Sequence, residues 1–224
     1  MNMILVIPAA DFYHLYRLFR KIVLIVMMID IDLLLACGAS YKKVSKGEII
    51  FWEGSIASFY HQLVEGKVKW CSVDDEGKEY IHYIVQPGEC FGELPLFDNE
   101  PFAATAVAEE DSLILRLHRS NFQHLLKENP EIHFSFSKLL AERLRFKFLL
   151  LKELSCYSPE HRITTLINYL KKNNKNYCPK CHKLLLTRQQ IANMTGLRVE
   201  TVIRAMKDME ERQMLTIEKG KVYC

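Results

Sequence analysis

The chain has 224 residues, 49% of them hydrophobic and 25% charged, with a formal net charge of +3. This is the composition of a soluble globular chain, and it excludes one too poor in apolar residues to build a core. Seven scattered cysteines, an odd number, exclude a disulfide framework and fit a reducing cytoplasm, the expected location.

Residues 1–28 are expected to be an N-terminal extension, either an accessory helix or the product of a start read too early, with Met27 or Met28 as the real one. The run "KIVLIVMMI" follows Arg17 and Arg20 but has no small-residue cleavage site, and Asp30 and Asp32 interrupt it. It is shorter than the roughly 20 apolar residues of a membrane span, so no membrane partner is expected.

A β domain is expected over 29–130. Strand-like runs "EIIFW", "FYHQLVEG", "KVKWCSV", "EYIHYIV", "TAVA" and "SLILRL" alternate with glycine-marked turns, and "DDEGK" (74–78) reads as a hairpin turn. Many short strands with regular turns predict a sandwich or barrel. "RSNFQHLLKENP" then reads as a short helix ending before Pro130.

From Glu131 to Leu154 the chain runs without Gly or Pro, and Phe136, Leu140, Leu144, Lys147, Leu151 and Leu154 recur at three- and four-residue steps. About 24 helical residues span roughly 36 Å. The stripe is wider than one neighbouring domain needs, so residues 131–157 are read as a helix that pairs with its copy in a second subunit. Packing within one chain is the alternative.

The last segment, 158–224, carries 13 Lys/Arg against 6 Asp/Glu, a net +7 that leaves −4 for the rest. A basic module joined to an acidic one is the footprint of a nucleic-acid binder with a separate non-binding domain. "RITTLINYLKK" is an amphipathic helix and "NNKNYCPKCHK" a polar loop. In "LTRQQIANMTGLRVETVIRAMKDMEER", Thr187 and Gln190 form a T-x-x-Q capping box, and Gly196 supplies the turn between two helices. On the second helix Val202, Ala205, Met206 and Met209 share one side, and Glu200, Ile203, Arg204 and Lys207 the other. "LTIEKGKVY" gives two strand-like pieces of a wing.

An arginine fork donates to guanine O6 and N7, and a carboxylate accepts from cytosine N4, in a groove wide enough for one helix. The bland reading of Glu200 and Arg204 is an i,i+4 surface pair worth about 0.3–0.5 kcal/mol. The capping box, turn, wing and charge together favour double-stranded DNA. The candidate contacts are Thr187, Arg188, Gln189, Arg198, Val199, Glu200, Thr201, Ile203, Arg204 and Lys207.

With these motifs in place, the span from about Asp30 to Tyr223 resembles the CRP/FNR family of bacterial transcription regulators. "TRQQIANMTGLRVETVIRAM" is similar to that family's helix-turn-helix, and "GECFGELPLFDNEPFAATAVA" to its cyclic-nucleotide-binding signature. The resemblance implies an α+β homodimer: a jelly-roll effector domain, a dimerising helix and a winged helix-turn-helix with recognition helices in successive major grooves. It also implies RNA polymerase as a partner. Val199, Glu200, Thr201 and Arg204 match the FNR branch more closely than the cAMP-receptor branch. Ile203 stands where the FNR branch usually has Ser, which leaves the outer base preference open.

The same resemblance places an effector pocket at Phe91, Gly92, Glu93, Leu94, Phe102, Ala103, Ala104 and Thr105. In cAMP-binding relatives a Glu holds the ribose hydroxyl and an Arg the cyclic phosphate. Glu93 is present, but Phe102 occupies the arginine position. A buried phosphate without a cation costs several kcal/mol, so cAMP is not expected as the effector. An apolar or uncharged ligand, or a collapsed pocket, is the alternative, and Glu93 would then cap local backbone N–H groups. An Fe–S cluster lacks its four clustered cysteines, and His82, His118 and His133 are too scattered to indicate haem. "CPKCH" leaves two readings open. One is a plain loop; the other is a zinc site of Cys178, Cys181 and His182 with Cys224, incomplete by spacing alone. No nucleophile–base or metal constellation indicates an enzyme.

Overall fold

The computed structural model describes residues 28–156 and 158–224, without the side chains of residues 154–156. The predicted extension therefore lies outside the described residues except for Met28, as does the side chain of Leu154.

The architecture is α+β. After a short helix, α1 (Ile31–Ala36), eight strands follow: β1 (Ser40–Val44), β2 (Ile49–Phe51), β3 (Phe59–Glu65), β4 (Val68–Val73), β5 (Glu79–Val85), β6 (Cys90–Phe91), β7 (Thr105–Ala108) and β8 (Ser112–His118). Helix α2 (Leu94–Asp98) interrupts them after β6. They form two antiparallel four-stranded sheets, ordered β1-β8-β3-β6 and β2-β7-β4-β5, which make the jelly roll. Gly77 turns the β4–β5 hairpin at φ 79°, with its N–H on the Asp74 carbonyl at 2.9 Å, a conformation glycine reaches at little cost.

Two helices close one side of the roll. Helix α3 (Arg119–Glu128) and the 27-residue α4 (Pro130–Cys156) bring Phe122 and Phe136 against Tyr60. All three rings are fully buried, and such aromatic clusters dominate core energetics.

The C-terminal segment folds as α5 (Pro159–Lys172), β9 (Tyr177–Cys178), β10 (Lys183–Leu184), α6 (Arg188–Thr195), α7 (Val199–Glu211), β11 (Thr216–Glu218) and β12 (Lys221–Tyr223). Its sheet runs β11-β12-β10-β9, so the wing and the Cys178 hairpin belong to one sheet. The expected polar loop at 173–183 is thus partly a hairpin, because Lys183 pairs with Cys178 and Leu184 with Tyr177. The capping box forms: Gln190 N–H donates to Thr187 Oγ1 at 3.1 Å, and Thr187 N–H to Gln190 Oε1 at 2.8 Å. A cap of this kind contributes about 1 kcal/mol.

This module rests on the outer face of the barrel. Cys71, Ile81 and Ile84 join the cluster that holds Ile191, Met194 and Val202. Gln190 Nε2 donates to both oxygens of Glu109 at 2.8 and 2.7 Å, and Asn193 Nδ2 donates to Glu79 at 2.9 Å.

Candidate nucleic-acid interface and ligand cavity

Helix α7 is two-sided because apolar residues recur every three or four positions. Val202, Ala205, Met206 and Met209 are buried against Ile163 and Leu166 of α5 and Ile191 of α6. Gly196, at φ 68°, ends α6 in the left-handed conformation and turns the chain into α7. Glu200, Ile203, Arg204 and Lys207 face outward and are exposed.

Glu200 and Arg204 do not pair with each other: no ion pair joins them among the described residues, although they lie one helical turn apart. A carboxylate and a guanidinium are therefore both available on one convex face. Arg198 is the exposed N-cap residue of α7 and makes no side-chain cap bond, while Val199 and Thr201 are half-buried beside it.

The α6 candidates are more constrained. Arg188 Nη1 donates to the carbonyl of Gly220 and so ties α6 to the wing. Gln189 Nε2 donates to Asn193 Oδ1 at 2.8 Å, and the Thr187 hydroxyl is engaged in the cap.

A second feature lies between the barrel and α4. A cavity of about 520 Å³ is lined by Glu93, Leu94, Ala103 and Ala104 among the expected pocket residues. Phe91, Gly92, Phe102 and Thr105 do not line it. Phe102 turns inward and stacks on Phe51, with centroids 3.8 Å apart and planes at 8°. Gly92 sits so close to that stack that a Cβ would fall 2.5 Å from Phe51. Phe91 is core, and Thr105 Oγ1 accepts from the Glu53 N–H at 3.0 Å.

The rest of the lining comes from residues that local sequence patterns did not connect to it: Trp70, His82 and Tyr83 of the barrel, and Leu140, Arg143, Leu144, Phe146 and Lys147 of α4. Arg143 forms an ion pair with Glu93 and donates to the Cys90 carbonyl at 2.7 Å. Glu93 thus does not cap backbone N–H groups, contrary to expectation, because its carboxylate is committed to a cation fifty residues away. Burial is the largest influence on Arg143 and disfavours its charge, but the charge and hydrogen bond of Glu93, with smaller contributions from Cys90 and Tyr83, together raise the guanidinium pKa. Burial, then the Lys147 charge, holds His82 down to about 4, so its ring is neutral at neutral pH.

The long helix divides differently from the predicted stripe. Phe136 is buried in the barrel core, Leu140 and Lys147 line the cavity and are half-buried, and Leu144 borders both the cavity and the exposed face. The outward face instead carries Phe134, Ser137, Ala141, Leu144, Phe148 and Leu151, an alternating 3–4 repeat. Its large members are 74%, 55%, 63% and 60% exposed at Phe134, Leu144, Phe148 and Leu151.

At the hairpin tip, no group of three or more His, Cys, Asp or Glu is placed to hold a metal among the described residues. The His182 Nδ1 is bonded to the Tyr177 hydroxyl at 2.8 Å, and the Cys224 N–H donates to the His182 carbonyl at 3.0 Å. A hydrogen bond from the Cys181 thiol, followed by nearby backbone N–H groups, lowers the Cys178 pKa. No described helix is long and apolar enough to cross a membrane.

Comparison with known proteins divides the chain in the same way. Residues 41–129 match the cyclic nucleotide-binding domain model, and residues 161–223 match the Crp-like helix-turn-helix domain model. The chain is 30% identical over 164 residues to the cAMP-activated global transcriptional regulator CRP of Haemophilus influenzae, covering 72% of this chain and 73% of that one. It is 29% identical over 177 residues to the cyclic AMP receptor protein of Thermus thermophilus, covering 79% and 80%. Among solved structures, FixK2 from Bradyrhizobium japonicum shares the fold with a TM-score of 0.70 at 21% identity, covering 83% of this chain and 91% of that one. The Thermus thermophilus catabolite activator protein aligns with a TM-score of 0.52 at 27% identity, covering 86% and 88%.

Proposed function

The chain belongs to the CRP/FNR family of DNA-binding transcription regulators, whose members bind DNA as dimers, and we propose that α7 reads base edges while the outward face of α4 joins two copies. The observation that carries this reading is the unpaired Glu200 and Arg204 on the exposed face of α7. A helix presenting a fork donor and a carboxylate acceptor one turn apart matches the pattern of a G·C-containing major groove. Lys207 is positioned as a phosphate contact, which orients without specifying. Arg188 acts through the wing it holds. Competitive binding over a randomised half-site tests the assignment, and RNA polymerase is the partner this reading implies.

The 3–4 repeat on α4 supports pairing with a second copy. Helices with apolar a and d positions associate along that seam. Each large apolar side chain removed from water contributes roughly 1.5–3 kcal/mol.

The 520 Å³ cavity favours a second element of the reading, a small-molecule effector held between barrel and helix. That volume is in the range of ligand sites. We assign its ligand outside the cyclic nucleotides, unlike the relatives named for cAMP. Phe102 stands, by sequence resemblance, where cAMP-binding relatives carry the phosphate-binding arginine, and it is stacked on Phe51 outside the cavity lining. The Arg143 charge is already answered by Glu93, and Lys147, the other cation of the lining, stands on α4 beside His82 and not on the segment that carries the phosphate position in cAMP-binding relatives. The Trp70 N–H is engaged by the Ala104 carbonyl at 3.2 Å, and the Tyr83 hydroxyl by Glu89 at 2.8 Å. Adenine, ribose and phosphate together would bring more polar groups than this lining can pair, and unpaired buried polar groups are costly. Millimolar cAMP is therefore expected to leave the thermal unfolding midpoint and the operator affinity unchanged. A ligand at a hundred times its Kd would stabilise by about 2.7 kcal/mol, so a clear upward shift matched by tighter operator binding contradicts the assignment.

A further inference from the structure

Lys147 is the cation in the cavity wall that no carboxylate answers. Its Nζ lies 2.9 Å from His82 Nδ1 and 3.5 Å from the His82 carbonyl oxygen, and 5.8 Å from the centre of the Tyr80 ring. No Asp or Glu is within ion-pair distance of it among the described residues. His82 is no substitute for an acid. With Nδ1 accepting from Lys147, its Nε2 carries the proton and donates to Ser72 Oγ at 2.9 Å. Partial burial pushes the Lys147 pKa down to about 8, so the group is charged at neutral pH but poorly solvated. The other cation of the lining, Arg143, has its charge answered by Glu93 and also donates to the Cys90 carbonyl.

Beside the Glu93–Arg143 pair, His82 and Tyr83, the wall is apolar: Trp70, Leu94, Ala104, Leu140, Leu144 and Phe146. When Phe134, Ser137, Ala141, Leu144, Phe148 and Leu151 form the seam of a parallel pair, the flanking positions on the other side of the seam are Lys138, Arg145 and Lys152. These are all basic. Pairing along this seam would set Lys138 and Arg145 beside it.

We propose that the ligand of this cavity is a small apolar monocarboxylic acid, whose carboxylate pairs with the Lys147 ammonium while its hydrocarbon body fills the space between Trp70 and Phe146. One unanswered cation matches one negative charge. A charged group in such surroundings gains most from a partner that is itself charged and hydrogen-bonding. An apolar body matches the remaining wall, as in most ligand sites. This rests on reading the cavity as the effector site and narrows it to a ligand class.

The test uses the full-length dimer and a panel of aliphatic and aromatic monocarboxylic acids of six to twelve carbons, each set against its own methyl ester. Thermal unfolding and calorimetry at pH 7 report binding, and operator affinity is measured with and without each compound. At least one acid is expected to bind at least tenfold more tightly than its ester. Lys147→Met should abolish that preference and Lys147→Arg should restore it, with circular dichroism verifying that both variants fold. Acids that bind no better than esters, a panel without binders, or an acid preference that survives Lys147→Met would overturn the proposal. Esters that bind and shift operator affinity would leave the effector reading standing and remove only the acid. Acids that bind through Lys147 without altering operator affinity would instead support the ligand class and remove the effector reading.

Discussion

Phe148→Glu is expected to convert the dimer to a monomer and to abolish high-affinity operator binding. Phe148 sits in the middle of the exposed repeat on α4, between Leu144 and Leu151, and is 63% exposed in the single chain. Pairing buries it against its own copy, so the substitution places two carboxylates together at the centre of an apolar seam. A charge buried without a partner costs far more than the lost side chain contributed. Within one chain Phe148 supports little else, and the folded monomer should persist. Sedimentation velocity and circular dichroism separate the two effects. Leu144→Glu, at the next position of the same seam, should behave alike. A dimer that survives both substitutions would remove α4 as the interface. The affinity loss follows from geometry: a monomer contacts one half-site and forfeits the second set of contacts.

Arg204→Ala is the second large effect. Its guanidinium has no ion-pair partner among the described residues and lies on the exposed face of α7, so truncation should leave the fold intact. The expected loss is about 1–3 kcal/mol at one base pair, with preference for guanine relaxed at that position alone. Lys207→Ala should instead weaken all sequences by similar factors and reduce the salt dependence of binding, as loss of a phosphate contact does. Competition over a randomised half-site distinguishes the two patterns. An unchanged base profile in Arg204→Ala would sink the role given to that residue.

Much of this molecule is legible in its sequence, and the misses have physical causes. β5 and β7 fall where their runs lie, at Glu79–Val85 and Thr105–Ala108, because strand-like residues are bounded by clear turns. The capping box and Gly196 define α6 because both are local chemistry. β1 carries Lys42 and Lys43 in the strand "SYKKV", and it lies at a sheet edge where exposed side chains dilute the alternation. β6, β9 and β10 are two residues long, too short for any period to register.

The long helix shows a different limit. It has two apolar stripes, one facing the barrel through Phe136 and Leu140 and one facing outward through Phe134, Leu144, Phe148 and Leu151. Periodicity finds both but cannot say which meets the barrel. The predicted stripe therefore mixed them, taking Phe136, Leu140 and Lys147 together with Leu144 and Leu151. Only half of the expected pocket residues line the cavity, for a related reason. The expected pocket residues come from two short runs, 91–94 and 102–105, whereas two-thirds of the wall comes from β4, β5 and α4. No local pattern connects Glu93 with Arg143, and none shows that Phe102 points away from the space.

Selection of bound sites from randomised duplex DNA by the purified full-length protein tests the central claim most directly. The account predicts a near-palindrome whose two half-sites have centres about 34 Å apart, one turn of DNA, each with a G·C pair at the position read by Glu200 and Arg204. A recovered set with no shared sequence, or with a single half-site that never repeats, would contradict a two-fold regulator that reads DNA through α7.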